Sequence, residues 1–495
     1  MYSPDFETFR KLAEKGNLIP VYREIIADTE TPVSALMKLD TDRTFLLESV
    51  EGGEKWGRYS FLGTDPRLVF RVRGEYVIIE ENGNLSSFRH EGDPLGFLKK
   101  ILGAYRPVPV PGIPRFYGGA VGYLGYEMIR HFENLPSRAE DDLGTDDAVF
   151  VVTDSLAVFD NVRHTIKLVS CVHIDGSDLK TAYESAAQKI ESLAERLASP
   201  LSSPAGPNGI GSAALTPNMP AESFRSIVDR ARQYILQGDA IQVVVSQRFE
   251  TEKFSSEIDL YRALRYVNPS PYLFYLRLGD LTLIGSSPEV MVRLEEGTAE
   301  LRPIAGTRRR GATEQEDRRL SNELLDDPKE KAEHVMLVDL GRNDLGRIAE
   351  TGSVQVTQLM IVEKYSHVMH LVSNIRAQLA AGRDAFDVIR ASFPAGTLTG
   401  APKIRAMEII DELEPVRRGP YGGAVGYFSY TGNMDFCITI RTMLVRNGKI
   451  YIQAGAGIVA DSNPEAEYSE TLSKAEGLAQ ALRLAASEFR MKAKT

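Results

Sequence analysis

The chain has 495 residues, of which 43% are hydrophobic and 25% charged, and its formal net charge is −10. That length is enough for two to four domains or for two large intertwined ones. The negative charge disfavours non-specific binding to nucleic acid or to an anionic membrane. The two cysteines, Cys171 and Cys437, cannot build a disulfide framework or a cysteine-based zinc site. Neither a signal peptide nor an apolar run of roughly 18 residues is visible, so we expect a cytoplasmic protein without a membrane span.

The N-terminal part of the chain consists mainly of strand-like segments. It begins with a predicted helix that has Ser3 as its N-cap, Pro4 in its first turn and Gly16 at its end. Predicted strands follow in TFLLES, LVFRVRG, YVIIEE, AVFVVTDS and TIKLVS. The segment DLKTAYESAAQKIESLAERLA has the spacing of an amphipathic helix. Residues 197–220, rich in Pro, Gly, Ser and Ala, are interpreted as a linker.

The C-terminal part mixes strands with longer helices. A helix after the linker ends at Gly238, and its apolar face consists of Phe224, Ile227, Val228, Ala231 and Ile235. The strand AIQVVVSQRF comes next, and a later hairpin turns near Glu296-Gly297. Because strands and helices come in blocks, the pattern predicts an α+β fold with antiparallel sheets.

The heptapeptide YGGAVGY occurs twice, at 117–123 and at 421–427. The repeat suggests two related halves, although one heptapeptide does not prove a duplication. The predicted parts of the chain are an N-terminal domain (1–196), the linker (197–220) and a C-terminal domain (221–495).

Two predicted helices begin at an X-Pro pair and carry glutamates on one face. They start at Asp327-Pro328 and at Asn463-Pro464. The side chains that share a face are Glu330 and Glu333 on the first helix, and Glu467, Glu470 and Lys474 on the second. A carboxylate that favours the helix dipole explains the first pair in part, and a solvated face explains the second. Alternatively, two such pairs hold a hard cation such as Mg²⁺, which prefers oxygen ligands.

Candidate anion-binding residues lie further along the chain. Arg441 interrupts the apolar segment DFCITIRTMLV, where a charge is usually paired or functional. The glycines of QAGAGIV, 453–459, allow backbone N–H groups to approach an anion. The segment GTLTGAPK, 396–403, has the wrong Gly-to-Lys spacing for a P-loop, which excludes nucleotide binding there.

Two further patterns have ordinary explanations. In the segment KYSHVMHLVS, His367 and His370 lack a third zinc ligand, so His370 is either a catalytic imidazole or a hydrogen-bonded core residue. The arginines at 308–310 are interpreted as a solvated or interface charge run.

Taken together, these segments resemble the chorismate-utilising enzymes, and among them the large subunits of anthranilate synthase. The matching segments are LLES, GRYSFLG, NPSPYLFY, SSPE, RPIAGTRRRG, KAEHVMLVDLGRNDLGR, SHVMHLVS, GTLTGAPK, YGGAVGYF, CITIR, QAGAGIV and SETLSKA. The resemblance implies an intertwined antiparallel β-sandwich with flanking helices. In this fold the C-terminal domain binds chorismate and the N-terminal domain contributes a tryptophan feedback site.

The resemblance also implies a magnesium cofactor. Glu333 and Glu470 match the direct ligands, and Glu330 and Glu467 match residues that support them through water. The cation would hold the ring carboxylate of chorismate.

The same resemblance implies the substrate pocket. Arg441 and Tyr421 would hold the enolpyruvyl carboxylate, since arginine suits a planar bidentate grip. The other implied pocket residues are Gly306, Thr307, Gly455, Ala456, Gly457 and Lys474.

The implied reaction is amination of chorismate at C2 with loss of the C4 hydroxyl, followed by elimination of pyruvate to leave anthranilate. Hydroxide is a poor leaving group, so an acid must protonate it, and Glu289 matches that acid. His370 matches a residue for later proton steps, and Thr397 would position the substrate. Of the two repeated heptapeptides, only the second, with Tyr421, matches a substrate contact. We expect the glycines of the first to serve close strand packing or a subunit contact.

Relatives with other activities differ at two positions. Isochorismate and salicylate synthases have a water-activating lysine where this chain has Gln242, and a neutral amide cannot serve as that base. Aminodeoxychorismate synthase, the closer alternative, commonly has a lysine nucleophile where this chain has Ala305. A non-catalytic tryptophan sensor would have lost the catalytic acid or the metal ligands, whereas this sequence retains Glu289, Glu333, Glu470 and His370.

The resemblance implies feedback inhibition by L-tryptophan, the end product of the pathway that anthranilate enters. The matching residues are Glu48, Ser49, Pro271, Tyr272 and Leu273, the last of which is often methionine in the family. No glutaminase elbow surrounds either cysteine. The ammonia should therefore come from a separate glutamine amidotransferase subunit, in a hetero-oligomer, or from free ammonium.

Overall fold

Two large antiparallel sheets form the centre of the computed structural model, and helices pack on their outer faces. The structure describes residues 1–49, 57–201, 214–365 and 368–487. The α-helices of these residues are α1 (Phe6–Leu12), α2 (Pro32–Leu39), α3 (Pro94–Gly103), α4 (Leu179–Ala198), α5 (Ala221–Leu236), α6 (Glu257–Val267), α7 (Glu314–Asp326), α8 (Pro328–Gly346), α9 (Ala385–Ser392), α10 (Lys403–Leu413) and α11 (Pro464–Ser487). Short 3₁₀ helices occupy Tyr126–His131 and Gly396–Leu398. In the part of the chain described here, no helix is both long and apolar enough to cross a membrane.

The first sheet has twelve strands in the described residues. Their order across the sheet is β1 (Leu18–Ile26), β10 (Thr165–His173), β9 (Ser155–Asp160), β3 (Tyr59–Thr64), β2 (Arg43–Glu48), β13 (Tyr272–Leu278), β14 (Leu281–Ser287), β23 (Thr442–Arg446), β24 (Lys449–Ile458), β12 (Gln242–Glu252) and β11 (Thr216–Pro217), with β20 (Gly400–Ala401) also paired to β12.

The second sheet also has twelve strands within the described ranges. Their order is β17 (Ile304–Arg309), β19 (Val368–Gln378), β16 (Thr298–Leu301), β15 (Val290–Glu295), β22 (Met434–Ile438), β21 (Ala424–Ser429), β7 (Gly119–Leu124), β8 (Ala148–Thr153), β4 (Leu68–Arg73), β5 (Tyr76–Glu81) and β6 (Asn84–Arg89), with β18 (Gln355–Lys364) also paired to β19.

Each sheet joins strands from both ends of the chain. In the first sheet β2 pairs with β13, so that Glu48 lies opposite Leu273. In the second sheet β7 pairs with β21. Side chains of both sheets meet in one buried core, where the rings of Phe61 and Tyr427 lie 6.4 Å apart. The predicted α+β fold, an intertwined antiparallel sandwich with flanking helices, is therefore confirmed. The division into domains at residues 197–220 stays a prediction.

The two copies of YGGAVGY pair with each other. Gly122 of β7 lies opposite Gly426 of β21. A Cβ atom on Gly122 would lie 1.9 Å from the carbonyl oxygen of Val149, and one on Gly426 would lie 2.0 Å from that of Asp435. Since glycine alone has no Cβ atom, it permits this close approach of neighbouring backbones. The prediction that the glycines of the first copy serve close strand packing is confirmed.

The predicted start of the first helix was wrong. Asp5 caps α1, whereas Ser3 forms a β-bridge with Tyr22 through two backbone hydrogen bonds of 2.8 Å. The bridge holds Ser3 extended at the edge of the sheet, so a local capping signal was overridden by tertiary pairing. The helix ends at Leu12, with Ala13 as its C-cap, rather than at Gly16.

Most other local signals are confirmed. Asp327 caps α8 and Pro328 begins it. Glu296 and Gly297 have φ values of +49° and +79° and form the turn between β15 and β16. Of the predicted linker, residues 202–213 lie outside the described part of the chain.

Candidate active site

The helix α8 presents Glu330 to the strand β17 and Glu333 to Gln242 of β12. The carboxylate of Asp327 accepts the backbone N–H groups of Lys329 and Glu330, which fixes the first turn. Glu330 lies against Gly306, where a Cβ atom would be 3.0 Å from a Glu330 carboxylate oxygen. Arg308, also on β17, donates to Glu330 at 3.0 Å. The bulged strand and the helix therefore meet through Gly306.

The helix α11 brings the second pair of glutamates to the strand β24. Glu467 is buried and Glu470 is exposed. The ammonium group of Lys474 lies 2.6 Å from the Glu470 carboxylate and donates to the carbonyl oxygen of Gly455 at 2.9 Å. Lys474 therefore joins α11 to the glycine-rich part of β24.

The four glutamates are close enough to influence one another. Burial raises the pKa of Glu333, and the charges of Glu330 and Glu470 raise it further. Burial also raises the pKa of Glu467, again with a contribution from Glu470. A cation relieves such repulsion, and carboxylate oxygens are the donors that Mg²⁺ prefers, so the donor set fits this ion. Within the described residues no group of three His, Cys, Asp or Glu side chains is arranged to hold a metal, and basic side chains pair with two of the four glutamates.

Arg441 supplies positive charge that the described carboxylates do not neutralise. It lies between β22 and β23 with a φ of +52°, a backbone conformation that is strained for a residue with a side chain. Its guanidinium donates to the carbonyl oxygen of Lys474 at 2.9 Å and forms no ion pair with a described residue. Burial lowers the pKa of Arg441, and the nearby Tyr421 and Glu470 oppose that effect. A buried guanidinium without a paired carboxylate is suited to binding an anion.

Tyr421 lies beside this arginine and over the glycine strand. A Cβ atom on Gly455 would lie 2.9 Å from the Tyr421 hydroxyl, so the absence of a side chain there makes room for it. Burial raises the pKa of Tyr421 to about 12, which keeps the hydroxyl protonated at neutral pH. Tyr421 and Arg441 can therefore both donate hydrogen bonds to one carboxylate.

Glu289 has the properties of a general acid. It lies between β14 and β15 and is 8% exposed. Burial raises its pKa to about 8, against the opposing effects of Thr397 and Lys474. Glu289 and Thr397 line a common cavity. A carboxyl group that remains protonated at neutral pH can give its proton to a leaving group.

His370 is held as a neutral imidazole. It lies opposite Thr307 in the β17–β19 pair, and its Nδ1 is 3.0 Å from both the carbonyl oxygen of Gly306 and the Thr307 hydroxyl. Because a carbonyl oxygen only accepts, Nδ1 carries the proton and Nε2 is left as an acceptor. Burial lowers the pKa of His370. The other histidine of the motif, His367, lies outside the described residues.

Gln242 and Ala305, the positions at which relatives with other activities are expected to carry a lysine, lie next to the proposed site residues. The buried Gln242 donates from Nε2 to Glu333 at 3.3 Å. A Cβ atom on Gly457 would lie 2.7 Å from the same Nε2 atom. Ala305 is buried on β17, next to Gly306. Neither side chain can act as a nucleophile or a base.

Residues 308–310 were interpreted as a solvated or interface charge run, and all three arginines form ion pairs within the chain. Arg308 pairs with Asp327 and Glu330, and Arg310 pairs with Asp317, whereas Arg309 pairs with Glu316 and is 65% exposed. The solvated alternative therefore fits Arg309 best, and the interface alternative stays a prediction. The partners lie 7 to 22 positions away along the chain, on neighbouring helices. No pattern within the run itself could have indicated them.

A second cavity lies between the two sheets, and none of the four glutamates of α8 and α11 lines it. All five residues matched to the tryptophan site line it: Glu48, Ser49, Pro271, Tyr272 and Leu273. The sequence did not indicate several further lining residues: Arg115, Arg293, Tyr427, Asp435 and Cys437. Asp435 accepts from Arg293 at 2.9 Å and from the Tyr272 hydroxyl at 2.7 Å. The cavity therefore has a polar wall as well as aromatic sides.

Two of the five residues direct their side chains away from this cavity. The carboxylate of Glu48 bonds to the Tyr261 hydroxyl and to Arg265, both on α6. Leu273 belongs to the apolar cluster that also contains Leu260 and Leu264 of α6. Successive side chains of a strand point to opposite faces, so Ser49 and Tyr272 face the cavity instead. The prediction of a tryptophan site therefore depends on the side chains of Ser49 and Tyr272 more than on those of Glu48 and Leu273.

Comparison with known proteins places these features in a family. The sequence profile described as chorismate binding enzyme matches residues 44–480. Anthranilate synthase component 1 of Acetivibrio thermocellus is 48% identical over 493 residues, which covers 97% of this chain and 99% of that protein.

Solved structures of related proteins have a similar fold. The crystal structure of anthranilate synthase component I from Streptococcus pneumoniae is similar with a TM-score of 0.76 and 38% identity, over 92% of this chain and 99% of that one. The menaquinone-specific isochorismate synthase of Escherichia coli has a TM-score of 0.70 at 19% identity, over 96% of this chain and 98% of that one. The second likeness concerns the fold alone.

Proposed function

The chain belongs to the chorismate binding enzyme family, and we propose that it is the large subunit of an anthranilate synthase. Its substrates would be chorismate and ammonia, and its products anthranilate and pyruvate. The observation that carries this proposal is the pair Gln242 and Ala305, because neither of these two side chains can serve as a base for water or as a nucleophile. Ammonia itself must then attack the ring.

Each part of the site has a role in this reaction. Arg441 and Tyr421 bind the enolpyruvyl carboxylate, which supplies the anion that the buried guanidinium lacks. Glu289, protonated at neutral pH, gives its proton to the departing C4 hydroxyl. His370 has a free Nε2 that can accept a proton in the later elimination. Thr397 lies beside Glu289 and orients the ring.

The proposed cofactor is Mg²⁺. Glu333 and Glu470 would hold the ion, with Glu330 and Glu467 supporting it through water. The bound ion would supply positive charge for the ring carboxylate of chorismate. Lys474 is the basic side chain closest to the same carboxylates and would add to that charge.

Ammonia and regulation require two further partners. Cys171 lies buried in β10, where burial raises the pKa of its thiol, and Cys437 lies buried in β22. Neither has the exposure of a glutaminase nucleophile. We therefore propose a separate glutamine amidotransferase subunit as the ammonia donor. L-tryptophan is the proposed inhibitor, bound in the cavity between the sheets.

The test is incubation of the purified chain with chorismate, Mg²⁺ and ammonium, with products identified by mass and fluorescence. Anthranilate and pyruvate in equal amounts are expected, and omission of ammonium should stop the reaction. Aminodeoxychorismate as the product would show the sister activity instead. Isochorismate formed without ammonium would mean that water attacks despite Gln242.

A further inference from the structure

Arg418 is a charged side chain buried between the elements that carry the substrate residues. It lies in the segment between α10 and β21 and is 2% exposed. Its guanidinium donates four hydrogen bonds, of 2.6 to 2.9 Å. The acceptors are both carboxylate oxygens of Glu414 and the backbone carbonyl oxygens of Leu398 and Val244.

Each of the two backbone acceptors lies next to a residue of the proposed active site. Leu398 follows Thr397 directly in the 3₁₀ helix. Val244 of β12 lies opposite Gly457 of β24. The Arg418 guanidinium is also 5.7 Å from the ring centroid of Tyr421. One planar group therefore spans the segments that carry Thr397, the glycine strand and Tyr421.

The counter-ion of Arg418 is itself fixed to β12, the strand that pairs with the glycine-containing strand β24. Glu414 accepts from the backbone N–H of Ser246 at 2.7 Å and from its hydroxyl at 2.9 Å. Ser246 lies opposite Gly455 in the β12–β24 pair. The ion pair is thus anchored at a strand that pairs directly with a strand of the substrate pocket.

The N-terminal part of the chain holds the other side of this segment. Glu127 accepts the backbone N–H groups of Arg418 and Gly419, each at 3.0 Å. The ring of Tyr126 lies 4.6 Å from the Arg418 guanidinium. Tyr126 and Glu127 follow the first YGGAVGY copy after two intervening residues, in YGGAVGYLGYE.

A buried ion pair is a costly way to stabilise a fold. Desolvation of two charges often cancels their attraction, and apolar residues of similar volume can replace such pairs without loss of stability. Arginine offers what an apolar residue does not, a rigid fork that fixes several acceptors in one plane. The geometry therefore favours a role in placing the surrounding segments.

We propose that Arg418 is a positioning residue that sets Tyr421 and Thr397 against the glycine strand in the chorismate pocket. The proposal rests on the function proposed above for those residues. Arg418 does not contact the substrate in this scheme, and its effect reaches chorismate through Tyr421 and Thr397.

The test uses Arg418→Lys, which keeps the charge and loses the planar fork. The matched control is Arg67→Lys in the N-terminal part, where Arg67 pairs with Glu81 and Asp154 and lies over the ring of Tyr105. Chorismate affinity is measured by calorimetry without ammonium, and KM for chorismate and for ammonium by steady-state kinetics. Thermal unfolding shows whether each variant is folded.

For Arg418→Lys we expect the Kd and the KM for chorismate to rise at least tenfold, with the KM for ammonium within twofold of the parent. Arg67→Lys should leave all three within twofold. A folded Arg418→Lys with unchanged chorismate Kd would overturn the proposal, as would an equal rise in Arg67→Lys.

If Arg418→Lys does not fold, Glu414→Gln tests the proposal instead. Glutamine has the shape of glutamate and keeps one acceptor oxygen for Arg418. A threefold or larger rise in chorismate Kd supports the proposal, and an unchanged Kd rejects it. Failure of the proposed function has a different sign: the parent protein would bind chorismate but form no anthranilate. The chorismate Kd values of parent and variants can still be compared if that happens.

Discussion

The ammonium group of Lys474 lies 2.6 Å from the carboxylate of Glu470, one turn earlier on α11. In this arrangement a lysine neutralises a proposed metal ligand. A cation that binds to Glu470 must therefore compete with Lys474.

Lys474→Met should raise the affinity of the free protein for Mg²⁺, because Glu470 loses its internal counter-ion. A change of roughly tenfold, or about 1.4 kcal/mol, is expected for an ion pair that is partly exposed to water. Glu470→Gln should lower the same affinity. Calorimetric titration with MgCl₂ in the absence of chorismate measures both.

The control for this prediction is Arg483→Met, which removes a cation that pairs with Glu476 further along α11. It should leave Mg²⁺ binding unchanged. If Lys474→Met and Glu470→Gln shift the affinity in the same direction, Glu470 is not a ligand.

Glu289 should give the enzyme a pH limit near 8. Its pKa is raised from the usual value of 4.5 to about 8 by burial, so the acid form needed for catalysis is lost above that pH. We expect kcat/KM for chorismate to fall above about pH 8 when free ammonia is held constant. Glu289→Gln should be nearly inactive at every pH, and a parent profile that is flat to pH 10 would contradict the assignment.

The same carboxyl should affect stability in a defined direction. A raised pKa contributes stability that is fully present below about pH 4.5 and is lost as the pH rises through about 8. Glu289→Gln should therefore be more stable than the parent above pH 8, and this advantage should disappear toward pH 4.5. Urea unfolding at a series of pH values measures it, and a constant difference would place the ionisation elsewhere.

Ser49→Phe should relieve inhibition by tryptophan with little loss of catalysis. Ser49 lies at the end of β2 and faces the cavity between the sheets, where a phenyl ring would take up the space of an effector. The tryptophan concentration for half inhibition should rise more than tenfold, equivalent to about 1.4 kcal/mol. Ser86→Phe, on the exposed strand β6, is the control and should be inhibited like the parent. Unchanged inhibition in a folded Ser49→Phe variant would remove this cavity as the effector site.

Tyr421→Phe and Tyr117→Phe form a matched pair, because each removes one hydroxyl from the same heptapeptide. At 421 the lost bond to a substrate carboxylate should cost about 1.5–3 kcal/mol, or about 10- to 150-fold in kcat/KM. At 117 the tyrosine is buried in the core between the sheets, so we expect no such kinetic loss. If its hydroxyl is hydrogen-bonded inside the protein, stability should change by about 1 kcal/mol. Steady-state kinetics and thermal unfolding of both variants decide. Equal kinetic losses would mean that both copies reach the active site.

Local physical chemistry let the sequence by itself determine much of this protein. The caps at Asp327 and Asn463 place two glutamate pairs on defined helix faces, and their hydrogen bonds involve only neighbouring residues. The turn at Glu296-Gly297 depends on a left-handed conformation that glycine favours. The runs rich in apolar and β-branched residues, such as AVFVVTDS, likewise predicted strands, because these residue types favour a strand over their own short length.

The tertiary structure alone decided which of these elements meet. Gly122 pairs with Gly426 and Glu48 with Leu273, across hundreds of positions that carry no local signal of pairing. Arg418, an ordinary charged residue in the sequence, is buried only because α10, β12 and the turn at Glu127 close around it. Local signals depend on a few neighbouring bonds, whereas burial and long-range pairing depend on how the whole chain packs. This packing brought Glu289 close to Lys474 and Arg441 close to Glu470.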